Sequence, residues 1–201
     1  MASLGIVREF LSEMSPIEGV AALLILVNVI LVALRSIWNY AFGIVGVAIY
    51  AIVFFHAKLY SDTLLQLFFL IVQFYGLWQW RRSEIDAGEV VVEQLGNRAR
   101  LQWLVGIVVA IAVWGWLMHR FTDASFPLWD ASVAMISVAA QYLMSVRKLE
   151  NWWLWIAANI LSIGLYGAKG LWITMALYGV LLVISLLGLA GWRAARQRAA
   201  A

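Results

Sequence analysis

Amide and aromatic side chains recur along one face of an apolar stretch in the second half of the chain. Asn151, Trp155 and Asn159 stand four residues apart, and Ser162 and Tyr166 continue the stripe. Residues at this spacing lie one above the other on the same face of an α-helix. Amides donate and accept hydrogen bonds, and an indole favours a delocalised cation over its ring. The stripe therefore predicts a binding site for a neutral or cationic heteroaromatic ligand that carries hydroxyl groups.

A second pair of amides lies in an earlier apolar stretch. Gln66 and Gln73 are about two helical turns apart and share a face, which Trp80 continues. Polar side chains are costly inside a bilayer unless they face a bundle interior or a wet cavity. They also cross-link neighbouring helices. Each amide by itself is compatible with both uses, whereas the complete later stripe favours a ligand site.

Acidic groups are absent from the middle of the apolar stretches. The carboxylates nearest to them lie at their ends: Glu18, Asp62, Asp130 and Glu150. A proton- or sodium-coupled carrier usually needs a buried carboxylate, so this distribution argues against ion coupling. The chain has no cysteine and its two histidines are far apart in sequence, so we expect no metal and no cofactor. We find no nucleophile or acid–base pair at one membrane depth and do not expect an enzyme.

The composition predicts an integral membrane protein. Of the 201 residues, 65% are hydrophobic and 12% are charged, whereas soluble proteins carry about 25% charged residues. At roughly 20 residues for each crossing, the chain accommodates about seven helices. We predict an all-α membrane fold with helices at 17–34, 38–56, 60–80, 101–118, 126–146, 151–169 and 171–192.

The polar segments predict the orientation in the membrane. Residues 1–16 are expected to form an amphipathic segment, 81–125 a polar cytoplasmic loop with linker helix four, and 193–201 a basic cytoplasmic tail. Ten Lys and Arg residues fall on one side of the membrane and four on the other. Because Lys and Arg are retained on the cytoplasmic face, we predict a cytoplasmic carboxyl terminus and an external amino terminus. The basic residues form no stripe, so no nucleic-acid partner is expected.

The chain also contains an internal repeat. Identical residues recur at a constant spacing of 112 positions, which we call the repeat offset. The pairs are Arg35 and Arg147, Asn39 and Asn151, Gly76 and Gly188, and Trp80 and Trp192. We predict two three-helix repeats, 17–80 and 126–192, joined by helix four in a 3+1+3 arrangement. The extra crossing gives both repeats the same orientation. Parallel repeats are a known transporter plan, as in SWEET sugar carriers, with the substrate site near mid-membrane at the repeat interface.

Several segments resemble the PnuC family of bacterial vitamin transporters. They are Asn39–Gly43, Leu59-Tyr60, Leu65-Gln66, Tyr75-Gly76 with Trp80, Phe126-Pro127 with Trp129-Asp130, and N-W-x-x-W-x-x-x-N at Asn151, Trp152, Trp155 and Asn159. The resemblance covers about residues 17–192. It implies a SWEET-like fold, a homotrimer, and facilitated diffusion of nicotinamide riboside followed by cytoplasmic phosphorylation. It also implies that Gln66, Asn151, Trp155 and Asn159 contact the substrate.

We therefore expect a nicotinamide riboside transporter of the bacterial inner membrane that works by alternating access without ion coupling. Its predicted substrate-binding residues are Asn39, Gln66, Gln73, Asn151, Trp152, Trp155, Asn159, Ser162 and Tyr166. Thiamine or another vitamin is the alternative cargo, because thiamine is also a cationic heteroaromatic. A membrane-embedded enzyme, or a scaffold that carries nothing, is the alternative from another class. A scaffold would tolerate replacement of the stripe.

Overall fold

The computed structural model describes residues 16–56, 60–122, 125–170 and 172–199, and this part of the chain forms seven α-helices. They are α1 (Pro16–Ala33), α2 (Asn39–His56), α3 (Tyr60–Ala87), α4 (Asn97–Phe121), α5 (Pro127–Ser145), α6 (Glu150–Ala168) and α7 (Trp172–Ala199). The all-α class and the seven predicted helices are confirmed over these residues. The amphipathic segment expected at 1–16 lies outside the described residues, apart from its last position.

The chain divides into two compact units, Met1–Trp78 and Gln79–Ala201. In the first unit α1 packs against α2, and in the second each helix from α4 to α7 packs against the next. Short connections between antiparallel helices produce this pairing of neighbours in sequence. Each of these packed pairs therefore consists of helices that follow one another in the sequence.

Two turns of the same construction connect α1 to α2 and α5 to α6. Arg35 and Arg147 adopt left-handed backbone conformations, with φ of 57° and 58°. The amides of Arg35 and Arg147 donate to carbonyls three residues back, and the next amides donate five residues back. This is the Schellman arrangement, in which glycine is the usual left-handed residue. The two arginines are related by the repeat offset, and the turns in which they lie have the same local backbone geometry.

Glycine brings a helix close to an aromatic ring at two positions related by the same offset. A Cβ at Gly76 would lie 2.5 Å from the hydroxyl oxygen of Tyr40, and a Cβ at Gly188 would overlap the Trp152 ring. Tyr40 and Trp152 are both buried. The missing side chain lets α3 approach α2 in the first unit and α7 approach α6 in the second. The repeated landmarks thus have matching local surroundings in their own units.

Several helices extend beyond the apolar spans. The apolar pattern predicts ends at 80 and 192, but α3 continues to Ala87 and α7 to Ala199, while α4 begins at Asn97. Apolar length measures the membrane crossing, and Arg, Glu, Gln and Ala readily continue a helix into water. α3 ends before Gly88, whose φ of 73° suits the left-handed position after a helix. Between the helices predicted at 60–80 and 101–118, the non-helical connection is therefore shorter than the sequence predicts and consists of residues 88–96.

Residues 88–96, which we call the strap, are hydrogen-bonded to the turn between α5 and α6. The amide of Glu93 donates to the carbonyl of Arg147 at 3.0 Å, and the amide of Leu149 donates to the carbonyl of Glu93 at 2.9 Å. Val90 and Val92 are buried. The strap is thus a packed part of the second unit.

Two helical stretches have the length and apolar composition of a membrane span. They are Asn97–Phe121, with a mean hydropathy of 2.0, and Thr174–Ala199, with 2.1. Gly19–Ala33 and Asn39–Val53 are shorter apolar helices. On α4, Val105, Val109 and Val113 are all more than half exposed. A helix with this much exposed apolar surface is suited to contact with lipid.

Candidate functional site

The stripe predicted on α6 lies along one face of the helix, and two of its residues, Asn159 and Tyr166, contact α7. Asn151, Asn159 and Ser162 of the stripe are buried, while Trp155 and Tyr166 are half-buried. Trp152, next to Asn151 in the sequence, is also buried. Trp152 packs on Gly188, Asn159 bonds Ser185, and Tyr166 stacks on Tyr178. The spacing in the sequence thus brings these side chains together in the second unit.

A chain of hydrogen bonds ties Asn159 to α7. The Nδ2 of Asn159 donates to the Oγ of Ser185 at 3.0 Å. That hydroxyl in turn donates to the carbonyl of Leu181 at 2.8 Å. Because a serine hydroxyl has one hydrogen to give, its oxygen acts as the acceptor for Asn159. The amide oxygen of Asn159 and the second hydrogen of its Nδ2 are the groups that this chain of hydrogen bonds does not use.

The carboxyl-terminal part of the stripe ends in a stacked pair of phenols. The rings of Tyr166 and Tyr178 have centroids 5.2 Å apart and an interplanar angle of 19°. Ser162, one helical turn before Tyr166, is fully buried. Aromatic walls and hydroxyl groups therefore continue the polar face beyond Asn159.

Asn151 and Asn39 each form a hydrogen bond with the turn that precedes their own helix. The Nδ2 of Asn151 donates to the carbonyl of Lys148 at 2.6 Å, and the Nδ2 of Asn39 donates to the carbonyl of Ser36 at 2.7 Å. Both asparagines are fully buried. Each side chain thus ties the start of its helix to the turn before it. A substrate contact by either residue stays a prediction.

The two asparagines differ in the surroundings of their amide oxygens. Asn28 donates to the backbone carbonyl of Asn39 at 2.7 Å and lies 3.5 Å from its Oδ1. At the repeat offset, Asn28 corresponds to Ala140. The buried Oδ1 of Asn151 has no partner among the described residues. Since an unsatisfied buried acceptor costs about 1–3 kcal/mol, this oxygen is suited to accept a hydrogen bond from a ligand.

Trp152 belongs to a cluster of three indoles in the second unit. Its ring meets Trp192 edge-on, with centroids 5.6 Å apart, and Trp80 lies 5.8 Å from Trp192. The Nε1 of Trp80 donates to the carbonyl of Met144 at 3.1 Å. The buried Nε1 of Trp152 has no partner within the described ranges. Packing accounts for the position of the Trp152 ring, and its role as a ligand contact stays a prediction.

Amides also gather in the first unit. A Cβ at Gly43 would lie 2.5 Å from both the Nδ2 of Asn28 and the Nε2 of Gln73, so glycine leaves room for the two amides. Gln73 is 3% exposed, and its Oε1 has no partner in the part of the chain that the structure describes. Gln66 is half-buried, two turns earlier on α3. Gln73 therefore offers a buried acceptor, and its contact with a substrate stays a prediction.

Charged groups lie at the amino-terminal end of α6. Glu93 of the strap forms ion pairs with Lys148 and with Arg147, the latter at 3.0 Å. The hydrogen bonds from Lys148 and Arg147 hold the pKa of Glu93 below its ordinary value. Glu150 accepts from the amide of Leu95 at 3.1 Å and pairs with Arg100 at 2.9 Å. These charges anchor the strap and leave the stripe uncharged.

A separate open groove of about 460 Å³ lies at the start of α5. It is lined by Ser125, Phe126, Pro127, Leu128, Trp129, Ser132 and Leu161. None of the predicted substrate-binding residues is among them. Within the described ranges, no three His, Cys, Asp or Glu residues are arranged to hold a metal ion.

Three residues of these clusters were not predicted from the sequence, namely Asn28, Tyr178 and Ser185. Asn28 is an amide within an apolar helix, which is the same signal that identified Gln66. Ser185 gives little signal, because serine in a helix commonly bonds its own backbone. Tyr178 becomes significant through its stacking partner on another helix.

Comparison with known proteins shows which family the chain is similar to. A family model described as nicotinamide mononucleotide transporter matches residues 15–194. The nicotinamide riboside transporter PnuC of Escherichia coli (strain K12) is 30% identical over 212 residues, covering 92% of this chain and 89% of that protein. The protein of the same name from Haemophilus influenzae is 30% identical over 185 residues, covering 90% of this chain and 79% of that protein.

A solved structure is similar over nearly the whole chain. The crystal structure of the vitamin B3 transporter PnuC has a TM-score of 0.75 and 29% identity, and covers 98% of this chain and 88% of its own. The agreement includes the all-helical architecture. The match therefore extends over both units and includes the α6 stripe.

Proposed function

The chain belongs to the PnuC family of membrane transporters, and we propose that it carries nicotinamide riboside across the bacterial inner membrane by facilitated diffusion. The observation that carries this proposal is the uncharged face of α6, on which Trp155 and Asn159 stand one turn apart. Nicotinamide riboside combines a flat cationic ring with a carboxamide and ribose hydroxyls. An indole favours the ring, and amides match the polar groups.

The geometry supports the riboside over its phosphorylated form. The mononucleotide adds a phosphate, which proteins bind through Arg, Lys or backbone amides at helix starts. α6 contains no Lys or Arg from Glu150 to Ala168, and the amides of α3 are neutral. A phosphate placed among these groups would lack a compensating charge. The riboside avoids this cost.

We assign the substrate contacts by chemistry. Trp155 stacks on the pyridinium ring, while Asn159, Gln66 and Gln73 bond the carboxamide and the ribose hydroxyls. Gln73 is supported as a contact by its buried Oε1, which has no partner among the described residues. The proposed contacts further include Asn39, Asn151, Trp152, Ser162 and Tyr166.

The proposed architecture is a SWEET-like 3+1+3 arrangement, with repeats at 17–80 and 126–192 and α4 as the linker. The paired Schellman turns and the paired glycine–aromatic contacts, each related by the repeat offset, support the repeat. Alternating access then follows from movement of the two repeats. A homotrimer, and phosphorylation of the riboside after entry, are proposed from the family resemblance.

Transport by purified protein in proteoliposomes tests the function. We expect labelled nicotinamide riboside to equilibrate across the membrane without a proton or sodium gradient, because the spans lack a mid-membrane carboxylate. Uptake should be unchanged by a protonophore and absent from empty liposomes. Accumulation above equilibrium that depends on an ion gradient would contradict facilitated diffusion. A clear preference for thiamine in competition would replace the proposed cargo.

A further inference from the structure

The amide of Asn159 has two chemically different faces. Its nitrogen donates hydrogen bonds and its oxygen accepts them, and rotation by half a turn exchanges the two. Whether the nitrogen or the oxygen of Asn159 points toward the ligand therefore depends on the partner that holds the opposite side of the amide. In the second unit that partner is Ser185, since the Nδ2 of Asn159 donates to its Oγ at 3.0 Å.

The second hydrogen bond of Ser185 decides the orientation. Its hydroxyl donates to the carbonyl of Leu181 at 2.8 Å, so its single hydrogen is committed. The reversed amide would place two acceptor oxygens together unless the hydroxyl gave up Leu181. Asn159 and Ser185 are 3% and 2% exposed, so bulk water does not supply a substitute partner.

The position of Ser185 carries a different polar group in the first unit. At the repeat offset, Ser185 corresponds to Gln73, and Asn159 corresponds to Val47. In the first unit, the third helix itself carries the buried amide. In the second, the third helix carries a hydroxyl and the amide stands on α6. The serine thus occupies the place of an amide and orients one on the neighbouring helix.

We propose that Ser185 is a positioning residue that holds the amide nitrogen of Asn159, so that the amide oxygen is presented to the ligand as a hydrogen-bond acceptor. The site then selects a ligand group that donates a hydrogen bond, either the carboxamide N–H or a ribose hydroxyl. This inference rests on the proposed function, because it requires Asn159 to contact the riboside. The inference adds that the Asn159 oxygen accepts a hydrogen bond from the ligand, and that Ser185 fixes this orientation.

Binding selectivity of the purified protein tests the proposal. Calorimetry compares nicotinamide riboside with 3-acetylpyridine riboside, in which a methyl group replaces the amide NH2 without adding a charge, and with the 2′-, 3′- and 5′-deoxy ribosides. We expect the wild-type protein to bind at least one of these analogues about tenfold or more weakly, because a lost hydrogen bond leaves the Asn159 oxygen unpaired. We call the dissociation constant of an analogue divided by that of the riboside the selectivity ratio. In Ser185→Ala, no hydroxyl holds the amide nitrogen of Asn159, so both orientations of the amide become available and the selectivity ratio falls toward one. Ser185→Thr keeps a hydroxyl that bonds the same carbonyl and retains the ratio.

A purely structural role predicts a different result, because loosened packing weakens binding of the riboside and its analogues by the same factor. An unchanged selectivity ratio in Ser185→Ala overturns the inference, as does a wild-type protein that binds all analogues equally. If Ser185→Ala does not fold, Ser185→Cys provides the same comparison, since a thiol is a weak acceptor. Absence of riboside binding by the wild-type protein would instead overturn the proposed function and, with it, this inference.

Discussion

Trp155 and Asn159, which we propose as ligand contacts, lie one turn apart on α6 and differ in chemistry. The half-buried indole provides a flat face, and the buried amide provides an oriented oxygen. Both belong to the N-W-x-x-W-x-x-x-N pattern, whose other members are held by structural contacts. Asn151 is tied to the carbonyl of Lys148, and Trp152 fills the space beside Gly188. At the level of single residues, Trp155 and Asn159 are the members whose replacement best tests ligand binding.

We expect Trp155→Ala and Asn159→Ala each to weaken riboside binding by about 10- to 100-fold while the protein still folds. Stacking of a base on an aromatic side chain contributes about 1–3 kcal/mol, and a lost hydrogen bond to a charged or buried group contributes similarly. Calorimetry with the purified protein measures the change. The control is Trp153→Ala, since Trp153 is half exposed and lies under the Arg193 guanidinium at 4.9 Å. Normal transport by both site variants would favour a scaffold.

Gly188→Ala should destabilise the second unit, because the added Cβ would overlap the buried ring of Trp152. Overpacking of this kind costs about 1–3 kcal/mol. The thermal unfolding midpoint in detergent should fall. Gly179→Ala is the matched control on the same helix, where a Cβ meets nothing within 4 Å. That variant should be neutral or stabilising, because alanine favours helix over glycine; equal effects of the two substitutions would contradict the packing role of Gly188.

The strap is the element that fixes the start of α6. Two backbone hydrogen bonds join Glu93 to the turn, and Arg147 also donates to the carbonyls of Gln79 and Val91, at 2.6 and 3.2 Å. The left-handed conformation of Arg147 is held by these contacts. Since the stripe begins at Asn151, the strap sets the position of the helix that carries the proposed site.

Glu93→Gln should lower stability at neutral pH and have less effect in acid. Lys148 and Arg147 hold the pKa of Glu93 below its ordinary value of 4.5. Its contribution is complete above pH 4.5 and is lost as the pH falls through the lower pKa of the folded protein. The difference in unfolding midpoint between wild type and variant should therefore narrow below pH 4.5. Glu84→Gln, at an exposed position of α3, is the control; a difference that widens in acid would contradict the ion pairs.

At the scale of the whole molecule, positions related by the repeat offset share backbone geometry but differ in chemistry. Gly43 corresponds to Trp155, Asn28 to Ala140 and Gln73 to Ser185. The turns and close glycine contacts are common to both units, whereas each unit distributes its amides and indoles in its own way. The two units are therefore alike in these turns and close contacts and different in the polar groups that they carry.

Labelling of introduced cysteines tests the proposed orientation in the membrane. The chain has no cysteine of its own, so each substitution gives a unique label. Gln94→Cys in the strap should react with a membrane-impermeant maleimide after the cells are opened. Ser125→Cys, on the side with fewer basic residues, should react in intact cells. Both positions are exposed, and the reverse pattern would place the amino terminus in the cytoplasm.

Much of the fold follows from local sequence. Apolar length located all seven helices, and helical spacing identified the α6 stripe before its neighbours were known. The helix extensions to Ala87 and Ala199 did not follow, because hydropathy detects the lipid boundary and not the end of the backbone hydrogen bonds. The roles of Asn151 and Trp152 also required the structure, since a turn carbonyl and a glycine on α7 are their partners.

Composition, periodicity and the repeat offset by themselves determined a seven-helix chain with an uncharged polar stripe. These properties depend on residue types and spacing along one chain segment. The tertiary structure decided which amide is oriented, which is buried in a turn and which acceptor lacks a partner. Those outcomes depend on atoms brought together from different helices, as Ser185 is brought to Asn159. A hydrogen bond is a short, directional contact, so its partner is specified only once the helices are packed.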